Sequence, residues 1–180
     1  ENHKNIKRQS DRGRVSCVFE NGYITILKGK WKVRIEKAIN IPLTYGGKAE
    51  FMIQNVLAAT LACFVHGVSL EDIRVGLTTF NPSVAQTPGR LNFIEINDFT
   101  VMLDFAHNPA GFIGLQSFIN KLNFKHKTGI LSGVGDRRDE DIKAMGKLAG
   151  ETFDKIIIRR GDYLRGRTEK EVLDLLQKGI

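Results

Sequence analysis

Cysteine is scarce in this 180-residue chain: Cys17 and Cys63 lie far apart and outside any CxxC pair. Two such cysteines argue against a disulfide framework and a zinc site, and they favour a reducing cytoplasm. No apolar run reaches the roughly 18 residues that a membrane-spanning helix needs. The polar, basic start at residues 1–14 lacks the apolar core of a secretory signal. We therefore expect a cytoplasmic protein that has no membrane segment.

Aromatic residues are also few, at 8% of the chain, although the net charge is +7. Basic residues occur in scattered groups, and no aromatic residues interleave with them as they do on surfaces that stack bases. Nucleic acid is therefore a disfavoured partner. A phosphate-bearing or other anionic ligand explains the positive charge better.

The first half of the chain predicts short strands followed by two helices. Residues 15–41 alternate β-forming runs with turn signals, and Asn21-Gly22 predicts a hairpin. An apolar stripe from Ile53 to Val65 predicts a helix over 49–66. Ser69 is the expected N-cap of a second helix over 70–80. Residues 81–89 hold two prolines and a glycine, so we place a domain boundary there, with domains 1–86 and 87–180.

The second half alternates strands and helices. The strands are predicted at 91–96, 100–105, 128–134 and 155–159, and the helices follow at 109–122, 140–148 and 168–177. This alternation predicts an α/β fold with a Rossmann-like, mostly parallel sheet. In such sheets the ligand lies at the carboxyl ends of the strands.

Polar side chains collect at three of these strand ends. After the strand at 100–105, Asp104 is expected to contact a ligand, because an unpaired carboxylate there would be costly to desolvate. His107 lies at the same strand end. Asn108 is interpreted as an N-cap and Pro109 as the first helical residue.

The second and third polar clusters span 132–141 and 159–167. Gly133 and Gly135 would allow a ligand to approach the backbone closely. Asp136 and Arg137 are either ligand contacts or part of a solvated loop, and the residues leave both interpretations open. Neither G-x-x-x-x-G-K-[ST] nor GxGxxG occurs in the chain. A crevice shared by the three clusters is the simplest explanation of their placement.

Several of these segments resemble one enzyme family. The stretches "TPGR", "LDFAHNPAG" and "GVGDRRDEDI" resemble the carboxyl-terminal domain of the Mur ligase family, whose members carry PGR and D-[YF]-A-H-[NT]-P motifs. Upstream, "IPLTYGGKAEF" and "NVLAATLAC" resemble the end of that family's central domain. The resemblance implies the tail of a P-loop ATPase domain over 1–86 and a Rossmann-like domain over 87–180, with ATP held between them.

The resemblance also implies a reaction. A carboxylate is activated by ATP, with Mg²⁺, as an acyl phosphate, and an amine attacks to form an amide. These sequence segments most resemble a branch of the family that adds arginine to the side-chain carboxylates of a polyaspartate, an acidic polymer. The phosphate-binding loop and the magnesium ligands are missing. We therefore expect a catalytically silent fragment of a larger enzyme, which is itself a homo-oligomer.

Roles carry over onto the matching residues. Asn55 corresponds to the asparagine that meets adenine, Arg90 to the arginine at the nucleotide phosphates, and Asp104 to the carboxylate at the ribose hydroxyls. His107 lines the same crevice. The positions matching the region that meets the amino acid or the acceptor are Asp136, Arg137, Asp162, Arg165 and Arg167.

Charge extends this assignment. A guanidinium substrate would pair with a carboxylate such as Asp139, Asp162 or Glu169. An anionic polymer would suit the arginines at 159, 160, 165 and 167. Phe105 stands where many relatives have tyrosine, so any role of that hydroxyl is lost.

Three alternatives remain. The chain could belong to another Mur-family ligase, acting on a peptidoglycan precursor or on folylpolyglutamate. It could be a non-catalytic nucleotide-binding module. Finally, the added amine could be lysine instead of arginine, which the sequence does not decide.

Overall fold

The computed structural model describes residues 4–161 and 164–180. The chain forms two compact units, Glu1–Asp104 and Phe105–Ile180, and each is described by itself. Within the described residues no helix is both long and apolar enough to cross a membrane. A domain boundary after residue 86 stays a prediction, because the units are defined by contacts within the chain and not by ancestry.

The first unit begins with a helix and an antiparallel sheet. The elements are α1 (Lys4–Asp11), β1 (Val15–Glu20), β2 (Tyr23–Lys28) and β3 (Trp31–Lys37), with sheet order β1-β2-β3. Asn21 and Gly22 both have positive φ, 50° and 81°, as a type I′ hairpin turn requires. The predicted strands and hairpin are confirmed. Helix α1 was not predicted, because its sequence has no apolar stripe.

Two helices cover this sheet. They are α2 (Glu50–Val65) and α3 (Leu70–Thr79), and Ser69 caps α3 by accepting from the Asp72 N–H at 3.1 Å. Ile53 and Val56 of α2 join Ile24 of β2 in one apolar cluster. The predicted helices are confirmed, with one correction. Val65 ends the predicted stripe but is 66% exposed, whereas its neighbour Phe64 packs against Ile26 and Ile35 of the sheet.

A second hairpin completes the first unit. Strands β4 (Asn92–Ile96) and β5 (Phe99–Leu103) pair antiparallel, with Asn92 opposite Leu103 and Ile96 opposite Phe99. These two strands form a sheet of their own among the described elements. Asn97 and Asp98 join β4 to β5. A two-residue connection can join antiparallel strands in a hairpin, whereas parallel strands need a longer crossover.

The second unit is an α/β structure. Its elements are α4 (Pro109–Ile119), β6 (Thr128–Leu131), α5 (Asp139–Thr152), β7 (Lys155–Ile158) and α6 (Glu169–Gln177). Strands β6 and β7 are parallel, with Thr128 opposite Lys155 and Leu131 opposite Ile158. The predicted α/β class with a parallel sheet is confirmed. The core joins Ile142 of α5 to Leu175 and Leu176 of α6.

The buried face of α4 follows the predicted spacing. Phe112, Leu115 and Ile119 are each 6% exposed or less. The helix ends at Ile119, so Leu122 lies beyond it, contrary to the predicted length. Strand β6 likewise ends at Leu131, earlier than predicted, because the residues that follow turn to meet other loops of the unit.

The two cysteines should differ sharply in reactivity. Burial raises the pKa of the Cys17 thiol to about 12, whereas Cys63 is exposed on α2. Because the thiolate is the reactive form, an aromatic disulfide reagent at pH 8 should label one thiol quickly and the other only after unfolding. Cys63→Ser should remove the fast phase. A fast phase that survives in Cys63→Ser would contradict the burial of Cys17.

Candidate functional site

Leu91 has an unusual backbone conformation at the centre of the first unit. Its φ is +47°, and its side chain is fully buried. A left-handed conformation costs a leucine about 1–2 kcal/mol. Two side chains offset this cost. The Leu91 N–H donates to Oδ2 of Asp104 at 3.1 Å, and the hydroxyl of Tyr45 donates to the Leu91 carbonyl.

The side chain of Asn92 binds three backbone groups of the preceding loop. Its Oδ1 accepts from the Gly89 N–H at 2.7 Å, and its Nδ2 lies 3.0 Å from the Thr87 carbonyl and 3.3 Å from that of Arg90. Asn92 is 1% exposed, so these bonds satisfy a buried amide. The loop thereby holds Arg90 at the surface, where its side chain is exposed.

Tyr45 is itself held by the loop that carries it. It has a left-handed φ of 50° and ends a short 3₁₀ turn, Pro42–Thr44. The buried Thr44 hydroxyl donates to the Ala38 carbonyl at 2.6 Å and accepts from the Gly47 N–H at 3.0 Å. The Tyr45 ring lies 5.2 Å from that of Phe93. Burial, and then the charge of Asp104, raise the pKa of Tyr45, so its hydroxyl stays a donor at neutral pH.

The structure gives Asp104 a role within its own unit. The half-buried carboxylate binds a backbone N–H, which compensates part of the desolvation cost that had pointed to a ligand. A contact with ribose stays a prediction. Asn55 lies exposed on α2, off the buried stripe as expected, and its Nδ2 is 3.4 Å from the sulfur of Met52. Its contact with adenine also stays a prediction.

In the second unit, His107 stands at the start of α4. Its Nδ1 lies 2.9 Å from the Phe105 carbonyl. A carbonyl only accepts, so Nδ1 carries the proton and Nε2 is left as an acceptor in the neutral ring. Asn108 caps α4 by accepting from the Gly111 N–H at 2.8 Å, and Pro109 is the first helical residue. Both cap predictions are confirmed.

A small pocket joins His107 to the end of β6. It is lined by His107, Ser132, Gly133, Val134, Arg137 and Asp141 among others, and it encloses about 20 Å³. That volume suits one water molecule. The structure therefore brings together His107 and Arg137, two of the predicted site residues, beside this pocket.

Arg167 joins the two strand-end loops of the second unit. Its Nε donates to the Gly135 carbonyl at 2.9 Å, its Nη2 to the Arg137 carbonyl at 3.0 Å, and its Nη1 to Oδ1 of Asp139 at 2.7 Å. All three guanidinium nitrogens thus bind the chain itself. Arg167 was predicted to contact a substrate, and these three contacts are those of a structural link between loops.

The glycines of these loops also serve the chain's own packing. A Cβ at Gly135 would collide with the Leu164 carbonyl, and one at Gly133 with the side chain of Val172. A Cβ at Gly161 would lie only 2.7 Å from the carbonyl oxygen of Gly133. We expected Gly133 and Gly135 to admit a ligand. In the structure the close approach is made by the loop after β7 and by α6.

Most carboxylates near the strand ends are paired with arginines of the chain. Asp139 pairs with Arg167, and Glu169 pairs with Arg160 at 2.7 Å. Asp136 lies 3.8 Å from Arg137. Asp162, the third carboxylate considered for a guanidinium substrate, lies outside the described residues.

One further ion pair and one turn complete this surface. Arg138 binds Asp141 through two bonds of 3.0 Å, which lowers the pKa of that carboxyl. Arg165 occupies the tip of a turn, with φ of 49° there and 89° at Gly166, and the Arg167 N–H closes the turn on the Leu164 carbonyl at 3.0 Å. Its exposed side chain projects from this turn.

Sequence reasoning gave no role to Tyr45 or Asn92, although both occur in the motif-like stretches "IPLTYGGKAEF" and "AQTPGRLN". No periodicity marks them. The available signal was their position, since Asn92 lies two residues after the PGR motif and Tyr45 precedes two glycines in a loop rich in turn formers.

The family model for the Mur ligase glutamate ligase domain matches residues 89–179, about half of the chain. The chain therefore belongs to the Mur ligase family. Within that family it is similar to proteins named cyanophycin synthetase, at 51% identity over 94% of the chain in Geminocystis herdmanii and 47% over 97% in Nostoc sp.. The chain spans about a fifth of the length of these curated relatives, 19% in each case.

One solved structure also matches. It is a UDP-N-acetylmuramoyl-L-alanyl-D-glutamate–2,6-diaminopimelate ligase, of which the chain covers 32%, while 93% of the chain is aligned. The identity is 17% and the TM-score is 0.48, so this likeness carries no argument.

Arg167→Ala should loosen the second unit. It removes one charged donor from three acceptors, a loss of about 1–3 kcal/mol for a hydrogen-bonded charged group. Hydrogen–deuterium exchange of peptides covering β6 and β7 reports this unit alone, and protection there should fall roughly tenfold. The matched control is Arg138→Ala, whose exposed pair with Asp141 should matter little. Equal effects of the two variants would contradict the structural role of Arg167.

Proposed function

We propose that this chain supplies part of an ATP-dependent ligase that adds arginine to the side-chain carboxylates of a polyaspartate. The observation that carries the proposal is the identity of 47–51% to cyanophycin synthetases across 94–97% of the chain. The geometry supports it, since three motif segments that resemble the family meet at Leu91, one peptide bond from Arg90.

The reaction has two steps. First, a carboxylate oxygen of aspartate attacks the γ-phosphorus of ATP, so that a C–O–P bond forms and ADP leaves. The amine of arginine then attacks the acyl carbon, an amide bond forms, and phosphate leaves with the C–O bond electrons. The attacking amine loses a proton in this step. Most of the catalysis is therefore charge stabilisation and orientation of the two reactants.

The first unit supplies the proposed nucleotide contacts. Arg90 would place a planar cation at the phosphates, where charge moves during transfer. Asp104 would accept from the ribose hydroxyls, and Asn55 would bind the adenine edge. In the second unit, His107, with Nε2 as an acceptor, would receive a proton from the attacking amine.

The second unit supplies the proposed substrate contacts. Arg165 and Arg159 would face an acidic polymer, because both are exposed near the end of β7. Asp136, Arg137 and Asp162 remain candidates for the incoming amino acid. For Arg167 we propose an indirect role, since it binds the loop that carries Arg137.

Other parts of the reaction must come from residues not assigned here. Among residues 4–161 and 164–180, no three His, Cys, Asp or Glu side chains cluster closely enough to hold a metal ion. That the Mg²⁺ ligands lie outside this chain stays a prediction. Catalytic silence of the isolated chain, a homo-oligomeric parent enzyme and a cytoplasmic location stay predictions.

The substrate is tested with the complete gene product. It is given ATP, magnesium and an aspartate–arginine primer, and incorporation of labelled arginine, lysine and glutamate is compared. We expect arginine incorporation that does not require added aspartate. Incorporation of glutamate alone, or turnover only with a nucleotide-sugar peptide, would assign the protein to another branch of the family.

The nucleotide contacts are tested by substitution in the same gene product. Arg90→Ala should lower kcat/KM for ATP by about 100-fold or more, because a transition-state cation is lost. Asp104→Asn, which keeps an acceptor for the Leu91 N–H, should raise the KM for ATP. The matched controls are Arg12→Ala and Asp98→Asn, exposed residues of the same unit. Wild-type kinetics in both site variants would overturn these assignments.

A further inference from the structure

We propose that Tyr45 is a positioning residue for Arg90, because its hydroxyl fixes the turn at Leu91 from which Arg90 projects. The inference rests on the proposed function, in which Arg90 contacts the nucleotide. Tyr45 belongs to a different segment, 46 residues before Leu91 along the chain.

Three side chains bind two successive peptide groups at this turn. The peptide between Arg90 and Leu91 has its carbonyl 3.3 Å from Asn92 Nδ2 and its N–H 3.1 Å from Asp104. The carbonyl of the next peptide, that of Leu91, accepts from Tyr45. Peptide groups are rigid planes, so binding both planes fixes φ and ψ of Leu91 between them. The direction in which Arg90 leaves the loop is fixed with them.

The Tyr45 bond acts on ψ. Asn92 and Asp104 bind the first peptide plane, whereas Tyr45 binds the carbonyl of the second plane, next to the point where Asn92 begins the β4–β5 pairing. A leucine released from the left-handed region would relax toward the β region, which non-glycine residues prefer. That rotation would re-aim Arg90.

Contacts of the Tyr45 loop and ring fix the position of the Tyr45 hydroxyl. The loop of Tyr45 is fixed by the fully buried Thr44, and its ring rests against Phe93. Burial and the Asp104 charge raise the pKa of Tyr45, which keeps the hydroxyl protonated as a donor. Tyr45→Phe therefore removes one donor and leaves ring packing and net charge unchanged.

The first test compares Tyr45→Phe with wild type in the complete gene product. Kinetics are expressed per folded molecule, with the folded fraction taken from circular dichroism. We expect kcat to fall about tenfold with little change in the KM for arginine. The control is Tyr23→Phe, on β2, which should behave as wild type. A wild-type kcat per folded molecule in Tyr45→Phe, whatever its melting temperature, would overturn the proposal.

The second test is a double-mutant cycle with Arg90→Lys. If Tyr45 acts through Arg90, then Tyr45→Phe should cost less than about twofold in kcat once Arg90 is lysine. Full additivity would overturn the positioning role while leaving Arg90 as a nucleotide contact. Wild-type activity of both Arg90→Lys and Arg90→Ala would instead overturn the proposed contact of Arg90 with the nucleotide, so the two failures are distinguishable.

Discussion

The left-handed backbone of Leu91 is the constraint that connects three separate segments of the first unit. A buried leucine adopts this conformation only when other groups offset its cost, and here Asp104 and Tyr45 bind the two peptide groups that flank it. The Tyr45 loop, the residues after the PGR motif and the end of β5 are thereby tied together. Asn92 then closes the Thr87–Arg90 loop on itself, so that an exposed arginine projects from a rigid base.

In the second unit, a charged side chain connects separate segments of the chain. Two loops follow the parallel strands β6 and β7, and Arg167 links them through two backbone carbonyls and one carboxylate. Glycines allow these loops to touch where a side chain would collide, as at Gly135 and Leu164. The result is a compact end of the sheet with a water-sized pocket beside His107. A ligand at this surface would meet the exposed side chains of Arg159, Arg160 and Arg165.

Local signals predicted much of the fold. The Asn21-Gly22 hairpin, the Ser69 cap and the Asn108-Pro109 helix start each depend on a few adjacent residues, and the structure confirms them. The contacts at Leu91 could not be predicted in this way, since Tyr45 lies 46 residues away and the bond goes to a backbone carbonyl. Pairing between distant charged residues was not predicted, for a similar reason. Arg167 and Asp139 resembled ligand contacts because the sequence does not reveal that they pair with each other across 28 residues.

The Leu91 turn is proposed to hold Arg90 in position for the nucleotide, and one measurement tests this connection most directly. The structure of the complete gene product with a non-hydrolysable ATP analogue and magnesium would show both features at once. We predict that Leu91 keeps its positive φ with its N–H on Asp104, and that the Arg90 guanidinium lies about 3 Å from a phosphate oxygen. An intact Leu91 turn with Arg90 directed away from the bound nucleotide would contradict the account.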